Sequence, residues 1–240
     1  MQFTSEQRLD DGVLEREFTL GEIPGVLWTS ASAPAPLILS GHNGGLHKQQ
    51  PRLVARARYC AARYGYAVAA IDHPGHGGRP KSPADVQIRA DLGRAKEAGE
   101  PIDEHLEALV APLVDQAVPE WQATLDALLS LPEISGPAGY SGMTAVGVGL
   151  AAVEPRIRAA ALFAGGFVPR SVREQAPQVS TPLLFLVQWD DEGNSRQSAL
   201  DLFDAFASTE KTLHANVGGH AGTPWFEVDD GARFFDRHLK

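Results

Sequence analysis

The 240-residue chain has one cysteine, two methionines and no long apolar run. Cys60 alone cannot close an internal disulfide. That excludes a disulfide-stapled fold and fits a reducing compartment, so a cytoplasmic home is expected. Cys60 falls in a helix-like stretch over residues 53–64 and reads as a buried packing residue, because free cysteine behaves as a small hydrophobe. No segment approaches the ~18 consecutive apolar residues of a membrane helix, so no membrane partner is expected. Residues 1–11 are polar and carry Glu6, Asp10 and Asp11. They lack the basic and apolar regions of a signal peptide. Basic residues are also in deficit, 21 Lys and Arg against 30 Asp and Glu, for a net charge of −9. A surface of that sign repels phosphate backbones, which argues against nucleic acid as a partner. Internal repeats and low-complexity tracts are absent too.

The hydrophobic fraction is 43%, enough for a full core in a single domain over residues 1–240. Short apolar runs alternate with helical patterns, which predicts βαβ units, a mostly parallel central sheet and helices on both of its faces, an α/β fold. Runs over 14–20 and 26–30, joined by the turn residues of 22–25, predict a hairpin. Residues 31–36 form a brief connector. Strands are predicted over 36–40, 66–71, 136–142, 157–163, 181–188 and 211–215. Helices are predicted over 51–64, 119–131, 143–153, 195–207 and 225–239. Residues 79–120 break this rhythm. Their charged helical patterns, 84–98 and 102–116 about Gly99-Glu100-Pro101, are too short for a core of their own. They read as a helical cap inserted into the domain, with a solvated connector as the alternative.

Four loops at predicted strand ends carry residues able to do chemistry. Gly139-Tyr140-Ser141-Gly142-Met143 lies where a strand turns straight into a helix. A serine there is expected to sit on strained backbone with its hydroxyl above the sheet, and the helix N-terminus behind it favours developing negative charge. A plain helix N-cap is the competing reading of Ser141. The usual spacing ends in glycine; here Met143 takes that place, and Ala145, Gly147 and Gly149 are expected to make room for it. A nucleophilic serine needs a base and a group that orients the base. Asp191 follows the apolar run 183–187 and is the chosen acid, with Asp190 in reserve. His220, in Val217-Gly218-Gly219-His220-Ala221-Gly222, is the chosen base, whereas His214 reads as structural and His238 as surface. Gly41-His42-Asn43-Gly44-Gly45 can present backbone N–H groups to an oxyanion: Gly44, or Asn43 in another register, together with Gly142.

The histidines of the other turns invite a metal reading. His42, His47, His73 and His76 lack zinc-ligand spacing, however, so no metal and no cofactor are expected. They read as turn residues bonded to loop backbone. The glycine-rich loop is not a phosphate loop either, since no Gly-Lys-Ser/Thr follows it.

Taken in order, Gly41-His42-Asn43-Gly44-Gly45, Ile71-Asp72-His73-Pro74-Gly75-His76-Gly77, Gly139-Tyr140-Ser141-Gly142, Asp191 and Gly218-Gly219-His220 resemble the α/β-hydrolase superfamily. The resemblance spans about residues 14–239 and is strongest to its small dienelactone-hydrolase-like and prolyl-oligopeptidase-like serine esterases. It implies the α/β-hydrolase fold, Ser141 as nucleophile, Asp191 as acid and His220 as base. It also implies that the Asp72–Gly77 turn shapes the floor of the site without taking part in catalysis. Met143 departs from the family pattern, as does Gln188, which stands where a glycine often precedes the acid. The expected function is hydrolysis of a small carboxylic ester through an acyl-enzyme. A thioesterase or acyltransferase on the same residues is the alternative, and a non-catalytic scaffold binding a small ligand or partner is the alternative of another class. Trp121, Trp189 and Trp225 are candidates for the mouth of the site. Oligomeric state is left open, a homodimer included.

Overall fold

The computed structural model describes residues 1–30, 34–163 and 166–240. Among these residues one nine-stranded sheet forms. In chain order the strands are β1 (Gln2–Arg8), β2 (Leu14–Leu20), β3 (Ile23–Thr29), β4 (Ala35–Ser40), β5 (Ala67–Ile71), β6 (Ile134–Met143), β7 (Ile157–Phe163), β8 (Leu183–Gln188) and β9 (Lys211–Asn216). The spatial order is β1-β2-β3-β5-β4-β6-β7-β8-β9. The first three strands form an antiparallel edge, and β3 pairs antiparallel with β5. From β5 to β9 all pairing is parallel. The chain thus has the α/β-hydrolase architecture. Of the connector expected at 31–36, residues 31–33 lie outside the described residues.

Alternation along the strands feeds two cores, as the period-2 geometry of a strand requires. Leu37, Leu39, Phe185 and Val187 face one side; Ile38, Leu184 and Leu186 face the other. The first side is covered by α3 (Asp103–Leu129), α4 (Thr144–Val153) and α6 (Arg196–Ala205), the second by α1 (Pro51–Tyr64) and α7 (Phe226–Leu239). Two more α-helices, α2 (Pro83–Ala98) and the single turn α5 (Arg170–Arg173), and a short 3-10 helix at Ala176–Gln178 complete the set among the described residues. Local signals set the helix ends. Gln50 accepts the Leu53 N–H at the start of α1, and Ser82 with Asp85 forms a capping box on α2.

Two elements differ from the sequence expectation. Strand β1 is almost wholly exposed and has no apolar alternation to betray it; it forms by pairing with β2 at the sheet edge. The breaks expected between 116 and 119 do not occur, and α3 runs unbroken through Pro112 and Pro119. Each internal proline costs about 3 kcal/mol in lost hydrogen bonding and crowding. Val110, Leu113, Val114, Ala117, Trp121, Leu125 and Leu128 are all buried along one face of α3. At about 1.5–3 kcal/mol for each large side chain, that stripe outweighs both prolines.

Candidate active site

The loops after β4, β6, β8 and β9 all open at the C-terminal edge of the parallel strands, where open α/β sheets gather their ligands. Ser141 lies within β6, paired with Ser40 of β4 on one side and Ala161 of β7 on the other. Its carbonyl accepts the Gly41 N–H at 2.9 Å, which ties the serine to the glycine-rich loop.

The strain expected at Ser141 is absent, and this corrects the sequence reading. Among the described residues no non-glycine has positive φ; the unusual backbone falls on Gly142, at φ 154°. A Cβ on Gly142 would also meet the Gly41 carbonyl oxygen at 2.3 Å, so only glycine fits. Met143 is buried in the core that α3 and α4 share, with Phe163 opposite it in β7. The room that Gly147 and Gly149 were expected to give Met143 is used otherwise. Gly147 makes way for Leu162 and Tyr140, and Gly149 for Val114 and Val118.

His220 and Asp191 are brought together. The His220 Nδ1 lies 2.9 Å from Asp191 Oδ2. The Asp191 side chain is buried, while that of His220 is half exposed. Burial alone would raise the Asp191 carboxyl, but hydrogen bonds from His220, the Gly193 N–H and Asn194 outweigh it and hold the group below the usual carboxylate range. Asp190 has a different partner set. Its carboxylate accepts the N–H groups of Gly218, at 2.9 Å, and Gly219, at 3.0 Å, so it staples the loop that carries His220.

Three residues that the sequence reading passed over, or treated only as a departure, hold the same loop. Gln188, buried at the end of β8, donates its amide N–H to the Gly219 carbonyl at 3.0 Å. Arg52 donates to the carbonyls of Ala221 and Thr223. Asn194 donates its amide to Asp191 Oδ2 at 3.0 Å, beside the His220 Nδ1 that the same oxygen accepts. Nothing in their local sequence announced this, because each acts on a loop distant in the chain.

Ser141, Gly142, Asn43, Gly44 and His220 line one cavity of about 370 Å³. It runs down between the sheet and the helices α1 and α7, past Ile38, Leu184, Leu186 and Phe235. Cys60, expected as a buried packing residue, is partly buried and lines this cavity; burial pushes its thiol up to about 11. No residue of the 79–120 segment is among the lining residues, whereas α2 packs on α3, away from the cavity. The tryptophans do not line it either. Trp121 is fully buried, donating its indole N–H to His73 Nε2 at 3.3 Å, while Trp189 and Trp225 are surface residues beside Arg196 and Tyr59.

Three histidines of the turns, His42, His73 and His76, form a buried, neutral network beneath the site, while His47 is exposed. His42 bonds through Nδ1 to the Asn43 carbonyl and accepts the His73 N–H on Nε2; His76 bonds through Nδ1 to the Pro74 carbonyl. Burial drives His42 down to about 4 and lowers His73 and His76 as well. Asp72 accepts the Lys48 backbone N–H at 2.8 Å and pairs with its ammonium at 3.1 Å, which locks the glycine-rich loop to the turn after β5. His214 is paired with Glu227 at 2.8 Å, and its Nδ1, Glu227 and Asp230 could surround a cation, although the Glu227 oxygens are already engaged by His214 and Asn216. His238, read as surface, is largely buried against Phe234. Among the described residues no helix is long and apolar enough to cross a membrane.

No family model matches the chain, and no curated protein does. Solved structures do. A cold-adapted esterase from an Arctic intertidal metagenomic library, in a complex with PEG, is 32% identical over 100% of both chains, with a TM-score of 0.79. An acetyl xylan esterase from Paenibacillus is 14% identical over 99% of this chain and 88% of its own, at 0.70. A dienelactone hydrolase from Anabaena variabilis is 17% identical over 98% and 99%, at 0.61. The last two share the fold; the first, similar along its whole length, shows the family. The chain belongs to the esterases of the α/β-hydrolase superfamily.

Proposed function

We propose that the chain hydrolyses small carboxylic esters through an acyl-enzyme on Ser141. The observation that carries the reading is the 2.9 Å contact of Asp191 with His220 Nδ1. A carboxylate that accepts the Nδ1 proton leaves Nε2 unprotonated, in the same cavity as Ser141, as a general base must be. His220 takes the hydroxyl proton as Ser141 Oγ attacks the ester carbonyl. Asp191, ionised and buried, stabilises the imidazolium that forms. The Gly142 N–H and that of Gly44 or Asn43 receive the oxyanion, each donor being worth roughly 3 kcal/mol. His220 then returns its proton to the leaving alcohol and activates the water that frees the acid. Asp190, Gln188 and Arg52 position the His220 loop and touch no reacting atom.

The test is labelling with a fluorophosphonate probe. The wild type is expected to react, and Ser141→Ala to remain folded and unlabelled. A folded wild type that is not labelled favours the non-catalytic scaffold. With labelling established, panels of oxygen esters, thioesters and acyl acceptors separate hydrolysis from acyl transfer. The expected preference is for oxygen esters with water as acceptor.

A further inference from the structure

Arg56 has no role in the machinery just described, yet it faces the same cavity. It stands on α1, beside the Leu53, Ala57 and Ala61 stripe that packs on the sheet. Its guanidinium lies over the Phe163 ring, 5.1 Å from the centroid, and Phe163 is two residues beyond the Ala161 that pairs with Ser141. Among the described residues no carboxylate lies within 4.0 Å of this guanidinium, and its buried Nε has no hydrogen-bond partner. Desolvation lowers its pKa to about 10. The other charges of the cavity are spoken for. Arg52 is committed to two loop carbonyls, and Glu227, the sole acid among the lining residues, to His214 and Asn216.

Arg56 is partly buried, and a cation desolvated in part with no carboxylate beside it is unfavourable unless something completes it. Other arginines find carboxylates: Arg79 takes Glu120 through both terminal nitrogens, Arg156 takes Glu154 and Asp126, and Arg16 takes Glu133, whereas Arg89 contacts His76. An arginine fork fits a carboxylate in bidentate fashion. We infer that the cavity takes esters carrying a free carboxylate on one arm, with Arg56 as the residue that receives it and so selects the substrate. The inference rests on the ester-hydrolase reading for the reaction, though not for the binding.

The experiment uses pairs of esters matched in length. Monomethyl adipate is set against methyl hexanoate for a carboxylate on the acyl arm, and 6-acetoxyhexanoate against hexyl acetate for one on the alcohol arm. Hydrolysis is followed by NMR for the wild type, Arg56→Met and Arg56→Lys. The wild type is expected to favour the acidic member of one pair by about 10- to 100-fold in kcat/KM, the range of a charge-assisted hydrogen-bond pair. Arg56→Met should erase that ratio and Arg56→Lys keep part of it. Preference for the acidic ester in neither pair overturns the inference. So does an Arg56→Met variant that lowers both members equally, which marks a structural residue. Calorimetry separates this from failure of the ester reading. Ser141→Ala should bind the acidic member of at least one pair more tightly than its neutral match, and Ser141→Ala with Arg56→Met should not. If the wild type cleaves none of the esters but this binding difference appears, the carboxylate site stands and the hydrolase reading falls. Equal binding within both pairs overturns the site whatever the wild type cleaves.

Discussion

Replacing Asp191 by asparagine should cost far more activity than the same change at Asp190. The reason lies in what each carboxylate oxygen accepts. Asp191 Oδ1 takes the Gly193 backbone N–H at 2.8 Å, while Oδ2 takes His220 Nδ1 at 2.9 Å and the Asn194 amide at 3.0 Å. In Asp191→Asn the amide has one oxygen to offer, and turning it toward the Gly193 N–H preserves that short backbone hydrogen bond. The oxygen therefore stays with Gly193, and the new NH2 faces His220. His220 must then accept on Nδ1 and carry its proton on Nε2, which turns the base toward Ser141 into a donor. A wrong tautomer of this kind lowers kcat by about 10⁴-fold, or ~5.5 kcal/mol of transition-state stabilisation. Asp190→Asn keeps an oxygen for the Gly218 and Gly219 N–H groups, so the loop should hold and activity should fall by less than about tenfold. Steady-state kinetics on a chromogenic acetate ester, with circular dichroism to confirm folding, decides between them. An Asp190→Asn loss equal to or larger than that of Asp191→Asn would refute the tautomer argument and move the acid to Asp190.

Gly142→Ala should abolish fluorophosphonate labelling and lower stability by at least about 2 kcal/mol, since its Cβ meets the Gly41 oxygen at 2.3 Å on backbone at φ 154°; an alanine variant with unchanged melting and labelling would contradict the close approach. Trp121→Phe removes a buried indole N–H from His73 Nε2, and urea denaturation should show a loss of about 1–3 kcal/mol. The buried histidines set a pH dependence of stability. His42 is held neutral in the fold by a pKa lowered to about 4, so its contribution is fully present above pH 6.5, the unfolded value, and is lost as pH falls toward 4, about 2 kcal/mol of it by pH 5. Denaturation midpoints at pH 7 and 5 should show that loss, and flat stability over this interval would mean that His42 protonates in place.

Much of this architecture is legible in the sequence because it rests on short-range rules. Apolar runs such as Leu183–Gln188 are buried on both faces, so they read as parallel strands from composition alone. The loops holding Ser141, Asp191 and His220 sit at the ends of those runs, and strand ends fix where loops open. The misses are non-local. Strand β1 is polar and gains its structure from pairing with β2. Pro119 reads as a helix start, and only the stripe that α3 buries against the sheet and α4 carries the helix through it. Arg52, Gln188 and Asn194 act on the 218–223 loop from elements far away in sequence, and Arg56 is one more basic residue on α1 until the cavity beside it is seen. Gln188 reads as a departure from the family pattern, yet its amide donates to the Gly219 carbonyl and so ties the His220 loop to the end of β8.

The elbow shows how the two departures at Gly142 and Met143 depend on each other. With glycine one place earlier than the usual spacing, the backbone turn falls after the serine, so Ser141 keeps strand pairing with both Ser40 and Ala161. The next residue must then point away from the cavity, and Met143 does so, into the core behind Phe163 and α4. A glycine at 143 would leave a gap there; a methionine at 142 would strike the Gly41 carbonyl, where even a Cβ has no room. Tyr140 completes the arrangement: its hydroxyl donates to the Met143 carbonyl at 3.2 Å and packs where a Cβ on Gly41 would stand. Exchanging the pair, Gly142→Met with Met143→Gly, restores the usual spacing in letters but removes both fits. The exchanged chain is therefore expected to be less stable and less reactive than either the wild type or Met143→Ala, as compared by urea denaturation and probe labelling.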